Sequence, residues 1–223
     1  PMNIDPAISI LAISQDGQTL GVVADSKCRI AQIHTNTQSQ SRVSARFTRS
    51  STNIMAAAVD ETRIAITSDD MTIELFETQK KTRRTTSTSG QYLCIELPSP
   101  NHIVAATPNN VFVWSTEAFP NNSKKYEGVQ NPVAVGLNHE IPAVIGRTGE
   151  LVYYVEDEPV RLALDLPGEI AIASFNTLAT KIAFVIETSL FHYDIREGEL
   201  EKLHTFTEEI EGVSIDNEGG AVC

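Results

Sequence analysis

A block of strand-forming residues recurs about every forty residues, and this period constrains the fold more than any other feature of the sequence. Each copy contains an apolar segment, a short polar turn and a second apolar segment whose predicted last residue is a bulky side chain. The bulky residues lie 38 to 43 positions apart, at Ile33, Phe76, Trp114, Tyr154 and Tyr193. Four of these five residues are aromatic in a chain that is only 6% aromatic, so the spacing marks a structural unit.

The period predicts repeats over residues 7–50, 51–90, 91–129, 130–168 and 169–209, and the start of a sixth over 210–223. Copies of this length with four short strands each are typical of a β-propeller, whose blades are four-stranded sheets around an axis. We therefore expect an all-β chain that forms a single domain of about five blades. Alanines in the first strands, such as Ala57 and Ala134, suit a crowded axis. Pro98 and Pro100 are expected to end the first strand of the third repeat.

The sixth repeat reaches only the beginning of a second strand. Its turn at Asp216 matches the Asp16-Gly17 turn of the first repeat, which favours a hairpin over a calcium loop. An unfinished blade leaves strand edges unpaired. We therefore expect the chain to be a fragment, with the rest of the propeller either in a second polypeptide or in a part of the same protein outside this sequence. The alternative is a compact five-bladed ring that residues 210–223 close.

Two segments carry a resemblance to a known family. Tyr193-Asp194 ends a third strand and is followed by the turn sequence IREGEL, and residues 68–76 (SDDMTIELF) form a hairpin. In diverged form, this pattern resembles the WD-repeat family of β-propellers, with Tyr193-Asp194 where that family places Trp-Asp. The resemblance covers nearly the whole chain. It implies a rigid, non-catalytic disc that holds other proteins, as an N-terminal module of a larger multiprotein assembly.

Loops on such a disc vary freely on a fixed frame and carry its contacts. The loops between the second and third strands of each repeat are therefore the expected contact loops. The candidate partner-binding residues in them are Asp69, Asp70, Asn109, Asn110 and Arg147. Phe119, in a longer loop, is either tucked under its blade or an exposed anchor for a partner.

One basic patch stands out, formed by Lys80, Lys81, Arg83 and Arg84. It falls where an outer strand or its loop should lie, so it is either a solvated sheet edge or a docking site for an acidic partner. A nuclear-import signal, or contact with RNA as in a ribosome-assembly protein, would also account for the patch.

The charge is uneven along the chain. The net charge is −12, yet residues 1–90 carry ten Lys/Arg and nine Asp/Glu, so all of the excess negative charge lies beyond residue 90. An acidic body repels a phosphate backbone, which argues against general nucleic-acid binding. The charge either favours basic protein partners or serves only to keep the protein soluble.

No motif for catalysis or for a cofactor occurs in the sequence. We predict no catalytic, cofactor-binding or metal residues, and no small-molecule substrate. A propeller hydrolase is the alternative class, and it would need polar groups at the axis. The three dispersed cysteines favour an intracellular protein with reduced thiols, in the cytoplasm or nucleus. No apolar run is long enough to predict a membrane span.

Overall fold

The computed structural model describes residues 8–14, 19–24, 27–32, 43–48, 53–77, 80–87, 90–156, 158–216, 218 and 220–222. These residues form strands and turns and contain no helix. Within them there is accordingly no helical segment of the length and apolarity that a bilayer crossing requires. The predicted anchor Ile33 and the loop residues 25–26 lie outside the described residues.

The first two sheets are antiparallel and have four strands each. The first sheet contains β1 (Ile8–Ile13), β2 (Thr19–Ala24), β3 (Lys27–Gln32) and β4 (Val43–Thr48). The second sheet contains β5 (Ile54–Val59), β6 (Arg63–Ser68), β7 (Thr72–Glu77) and β8 (Thr82–Ser87).

Three more antiparallel sheets of four strands follow. The third contains β9 (Cys94–Ser99), β10 (His102–Thr107), β11 (Asn110–Ser115) and β12 (Lys124–Glu127). The fourth contains β13 (Pro132–Asn138), β14 (Ile141–Gly146), β15 (Glu150–Val155) and β16 (Glu158–Ala163). The fifth contains β17 (Ile172–Phe175), β18 (Lys181–Ile186), β19 (Ser189–Asp194) and β20 (Glu199–Thr205). A hairpin of β21 (Ser214–Ile215) and β22 (Ala221–Val222) comes last.

Strands that are consecutive in the chain are neighbours in every sheet, so each sheet is a run of hairpins. The five sheets fall inside the five intervals that the repeat period marks out. The predicted all-β class and the four-stranded units are therefore confirmed.

The bulky anchor residues occupy one structural position. Phe76, Trp114, Tyr154 and Tyr193 are each the next-to-last residue of a third strand, one position earlier than the sequence analysis placed them. Tyr193, for example, pairs with Ile182, the second residue of β18. The residue after it, Asp194, starts the next turn by accepting hydrogen bonds from the amides of Arg196 (2.9 Å) and Glu197 (3.2 Å).

Pro98 lies inside β9, so the expectation that it ends this strand was wrong. The pairing of β9 with β10 shifts register between Ser99 and Glu96, which places Pro98 at a bulge. A bulge leaves a residue out of the hydrogen-bonded ladder, and proline, which has no amide hydrogen, is tolerated there. The strand ends at Ser99, directly before Pro100.

Burial rises from the outer strands to the second strands of the sheets. All six residues of β6 are buried, and β10, β14 and β18 are buried at all but their first residue. The outer strands β8, β16 and β20 are mostly exposed. Strands that are buried on both faces read as continuous apolar runs, which explains sequences such as IVAA in β10 and IAFVI in β18.

A separate apolar cluster fills each junction between consecutive sheets. One cluster lies between the first and second sheets, and others lie between the second and third, the third and fourth, and the fourth and fifth. A fifth cluster joins the fifth sheet to the last hairpin through Ile215. Neighbouring residues of β10 pack into different junctions because side chains alternate along a strand. Ile103 lies in the junction with the second sheet, and Val104 lies in the junction with the fourth.

First strands approach one another closely along the chain of sheets. β1 contacts β5, β5 contacts β9, β9 contacts β13, β13 contacts β17, and β17 contacts β21. At Gly136 in β13 the approach excludes a side chain, since an added Cβ would lie 2.8 Å from Phe175 Cβ and 3.0 Å from Ala179 Cβ. The absence of a side chain at Gly136 is therefore a steric requirement of this junction.

Polar contacts made by basic side chains also join sheets at the turns that follow the first strands. Arg63, the first residue of β6, donates hydrogen bonds to Ser99 O (2.7 Å) and Thr116 Oγ1 (2.6 Å) of the third sheet while it pairs with Asp60. Lys181, the first residue of β18, likewise donates to Glu218 O (3.0 Å) in the last hairpin.

His102 occupies the same position in β10, with Nε2 3.9 Å from a carboxylate oxygen of Glu140 in the fourth sheet. We call these three contacts the turn latches. In each, a basic side chain that opens a second strand reaches the first turn of the following sheet. They tie consecutive sheets together at the ends where their first strands finish.

We predict that Gly136→Ala destabilises the protein by about 1–3 kcal/mol, because the added methyl group overpacks the junction against Phe175. Urea unfolding followed by circular dichroism measures the change. Gly212→Ala is the matched control, since nothing lies within 4 Å of the position of its added Cβ. Equal unfolding midpoints for the two variants would contradict the close approach of β13 and β17.

Candidate partner-binding site

The turns between second and third strands lie at the end of the sheets where the first strands begin. The amide of Asp69 donates to Asn53 O (3.1 Å), directly before β5, and the amide of Arg147 donates to Asn131 O (3.0 Å), directly before β13. We call this end the turn face. It carries the predicted contact residues of the second, third and fourth sheets.

The predicted residues on the turn face are held by local hydrogen bonds. Asp69 accepts from Asn53 Nδ2 (2.6 Å), and Asp70 accepts from the amide (3.2 Å) and hydroxyl (2.6 Å) of Thr72. Asn109 has a φ of +69°, a left-handed conformation that asparagine tolerates better than most residues. Asn110 already belongs to β11. These turns are fixed frames from which exposed atoms can contact a partner.

Arg147 is exposed at the mouth of a cleft of about 490 Å³ on this side. We call it the turn-side cleft. Its walls come from the beginnings of β5, β9, β13 and β17, and include Ala56, Ala134 and Ala171. The small side chains that permit the close approach of the first strands therefore also leave an opening between them.

The basic patch lies in the turn before β8 and in β8 itself, an outer strand of the second sheet. Arg83 pairs with the buried Glu74. Arg84 pairs with Glu77 and donates to Thr116 O (2.6 Å) and Phe119 O (2.9 Å) of the third sheet. Both guanidinium groups thus already serve contacts within the chain.

The two lysines of the patch are more accessible. Lys80 Nζ lies 3.0 Å from Glu77 Oε2, and its side chain is 71% exposed. Lys81 is exposed and makes no ion pair with any of the described residues. Within the patch, the lysines are the groups available to an acidic partner.

Phe119 is buried, with 2% of its surface exposed, so it is tucked into the interior and is not an exposed anchor. Its ring packs edge-on against Trp114 with 5.7 Å between centroids, and the Arg84 guanidinium lies 5.9 Å from its centroid. The ring belongs to the apolar cluster between the second and third sheets. The chain folds back after β11 ends at Ser115, and the Phe119 amide donates to Ser115 O. Phe119 is therefore not available to bind a partner.

A larger cleft of about 850 Å³ opens towards the other end of the first strands, and we call it the far cleft. Ala12 of β1, Ala57 and Ala58 of β5, and Phe175 of β17 line it. Residues 206–215, which lead into the last hairpin, form one side. The first, second and fifth sheets therefore meet around one cavity.

Glu96 of β9 lines both clefts. Its side chain is half-buried, and burial raises the pKa of its carboxyl group to about 7, opposed only by a hydrogen bond from the Leu97 amide. The same surroundings, together with Glu96 itself, raise the pKa of the Cys94 thiol, which therefore stays protonated. Sequence reasoning did not single out Glu96, since a lone acidic residue in a strand gives no signal of the neighbours that other sheets bring to it.

The described residues contain no group of three or more His, Cys, Asp or Glu side chains placed to hold a metal ion. Asp216, considered above as a calcium ligand, accepts hydrogen bonds from the amides of Glu218 (2.9 Å) and Gly220 (2.8 Å). Asn176 makes equivalent contacts with the amides of Thr180 (2.8 Å) and Lys181 (3.0 Å) after β17. Asp216 thus occupies a hairpin turn that recurs in the chain.

No protein-family model matches the chain. No curated protein matches it either. Function is therefore inferred from the turn face and the two clefts.

We predict that Glu96→Gln stabilises the protein at high pH and not at low pH. The folded-state pKa of about 7 lies above the ordinary 4.5, so the folded state holds its proton more tightly and stability falls as pH rises from about 4.5 to 7. Relative to the wild type, the variant should gain up to about 3 kcal/mol between pH 4.5 and pH 8.

Urea unfolding at four pH values across this range measures the gain. Glu61→Gln, an exposed turn residue, is the control and should show a constant difference from the wild type. A difference for Glu96→Gln that stays constant from pH 4.5 to 8 would contradict the buried carboxylate.

Proposed function

We propose that the five sheets and the last hairpin form a WD-like β-propeller that acts as a non-catalytic scaffold for other proteins. One observation carries the proposal. Residues of the first, second, third and fifth sheets and of the last hairpin line the same far cleft.

A ring accounts for this cleft and a linear stack does not. Packed sheets lie about 10 Å apart, so four successive junctions in a line would separate the first sheet from the fifth by about 40 Å. Ala12 and Phe175, from those two sheets, line one cavity of about 850 Å³. First strands that converge on a common axis bring such residues together.

The scaffold role follows from where the rigid and the variable parts lie. Apolar clusters fill every junction, whereas the turns carry exposed polar groups on a fixed frame, which is the usual arrangement of a binding surface. The turn face, with Asp69, Asp70, Asn109, Asn110 and Arg147, is the proposed docking surface.

The last hairpin offers a further place for a protein partner. Among the described residues, no third strand lies beside β22. Backbone amides and carbonyls on such an edge can pair with a strand from another polypeptide. A second chain that adds strands here would continue the series of four-stranded sheets.

Contact with RNA through the basic patch receives no support from its geometry. Arg83 and Arg84 are engaged with Glu74, Glu77 and carbonyls of the third sheet. Two exposed lysines remain on a chain of net charge −12, a weak counterpart for a phosphate backbone.

The scaffold proposal is tested by a charge swap on the turn face. In the variant Asp69→Lys with Arg147→Glu, the net charge is unchanged but the charges of one acidic and one basic residue on this face are reversed. Tagged protein is purified from its own cells, and co-purifying proteins are quantified by mass spectrometry. We expect a stoichiometric set of proteins that the variant loses by at least tenfold, because reversed charges repel a complementary surface.

The control is Lys125→Glu with Glu197→Lys, which swaps exposed charges outside the turn face and also conserves net charge. Circular dichroism verifies that both variants fold. The proposal fails if no stoichiometric protein accompanies the wild type, or if both swaps reduce the set equally.

A further inference from the structure

Every ionisable side chain among the described residues that line the far cleft is acidic. Glu96 lies on its wall, and Glu208, Glu209 and Glu211 lie along the segment that leads to the last hairpin. Among the described residues that line the cleft there is no lysine, arginine or histidine. A cation in the cleft would therefore meet carboxylates that come from two separate parts of the chain.

The rest of the lining is largely apolar. Ala57, Ala58 and Phe175 lie on the first strands, and Phe206 and Ile210 lie on the segment opposite. A volume of about 850 Å³ lies within the usual range of about 300–1,000 Å³ for ligand sites. Apolar walls beside a carboxylate suit a side chain with an aliphatic stem and a charged end, as in lysine and arginine.

The position of Glu96 makes a cationic ligand favourable. A half-buried carboxylate without a cation beside it is costly to ionise. The titratable and charged groups that line the same clefts are the Cys94 thiol and the exposed Arg147 on the turn-side cleft, and Glu208, Glu209 and Glu211 on the far cleft. An incoming ammonium or guanidinium group would offset this cost and hold the carboxylate in its charged form.

We propose that the far cleft binds a basic segment of a partner protein, with a lysine or arginine side chain directed at Glu96. The inference rests on the proposed scaffold function and adds the chemistry of the partner. The aliphatic stem of that side chain packs against the apolar walls, and flanking basic residues meet Glu208, Glu209 and Glu211. The sign of the charge excludes nucleic acid as the occupant.

The probe is a fluorescein-labelled heptapeptide that alternates alanine and arginine, and a glutamate version of it is the negative control. Fluorescence anisotropy measures binding to the full chain. We expect the arginine peptide to bind, with an affinity that falls as salt increases, and the glutamate peptide not to bind. Glu96→Gln should weaken binding about tenfold, whereas Glu197→Gln, which removes an equal charge outside the cleft, should not.

A second readout depends on the protonation of Glu96. Binding to the wild type should weaken between pH 8 and pH 5.5, because protonated Glu96 no longer attracts the cation, and binding to Glu96→Gln should change much less. General attraction to an acidic surface does not predict this difference.

Three outcomes would overturn the inference: no binding of the arginine peptide, equal weakening by Glu96→Gln and Glu197→Gln, or competition by spermidine as strong as by unlabelled peptide. The last result would assign the cleft to small polycations. Failure here leaves the scaffold proposal intact if the turn-face charge swap still removes its partners. If the arginine peptide does not bind and the turn-face charge swap removes no partners, the scaffold proposal is rejected as well.

Discussion

The burial of apolar side chains between consecutive sheets is the interaction on which the rest of this structure depends. None of the four-stranded sheets has a core of its own, and each obtains one by packing against its neighbours in the chain. A fully buried valine, leucine or isoleucine contributes roughly 1.5–3 kcal/mol, and β10 alone directs such residues into two junctions. Stability is therefore shared among the junctions.

This packing also sets the chemistry of the candidate sites. Where first strands approach as closely as β13 and β17 do at Gly136, there is no room for a side chain, and alanines on the first strands line two clefts. A carboxylate placed among these strands, as that of Glu96 is, loses water and gains only a hydrogen bond from the Leu97 amide. The turns lie outside the junctions, so their polar groups stay exposed or form latches such as that of Arg63. Rigidity and binding capacity thus arise from the same arrangement.

Local features of the sequence predicted much of the fold. The period of the bulky residues located the sheets, because the four anchors within the described residues fill the same position in a third strand. The turn at Asp216 was also recognised, since an Asp side chain that accepts nearby amide hydrogens is a local feature. Such signals need no knowledge of the tertiary structure.

Features that depend on partners far along the chain escaped prediction. Pro98 was assigned to a strand end because a bulge cannot be foreseen from one strand. The basic patch was open to several interpretations, since the carboxylates of Glu74 and Glu77 that engage its arginines lie on another strand. The turn latches and Glu96 were missed altogether, because only the packing of one sheet on the next gives these residues their surroundings.

The most direct test of a ring of sheets is a set of spin-label distances between the turns that follow the first strands. One label is placed at Glu61 in the second sheet, and its partner is placed at Asn101, Glu140 or Leu178 in the third, fourth or fifth sheet. Each pair is introduced into a background without native cysteines. The account predicts that the distance grows from Asn101 to Glu140 and then levels off at Leu178, because the sheets curve around an axis. Three distances that increase in equal steps of about 10 Å would indicate a linear stack and contradict it.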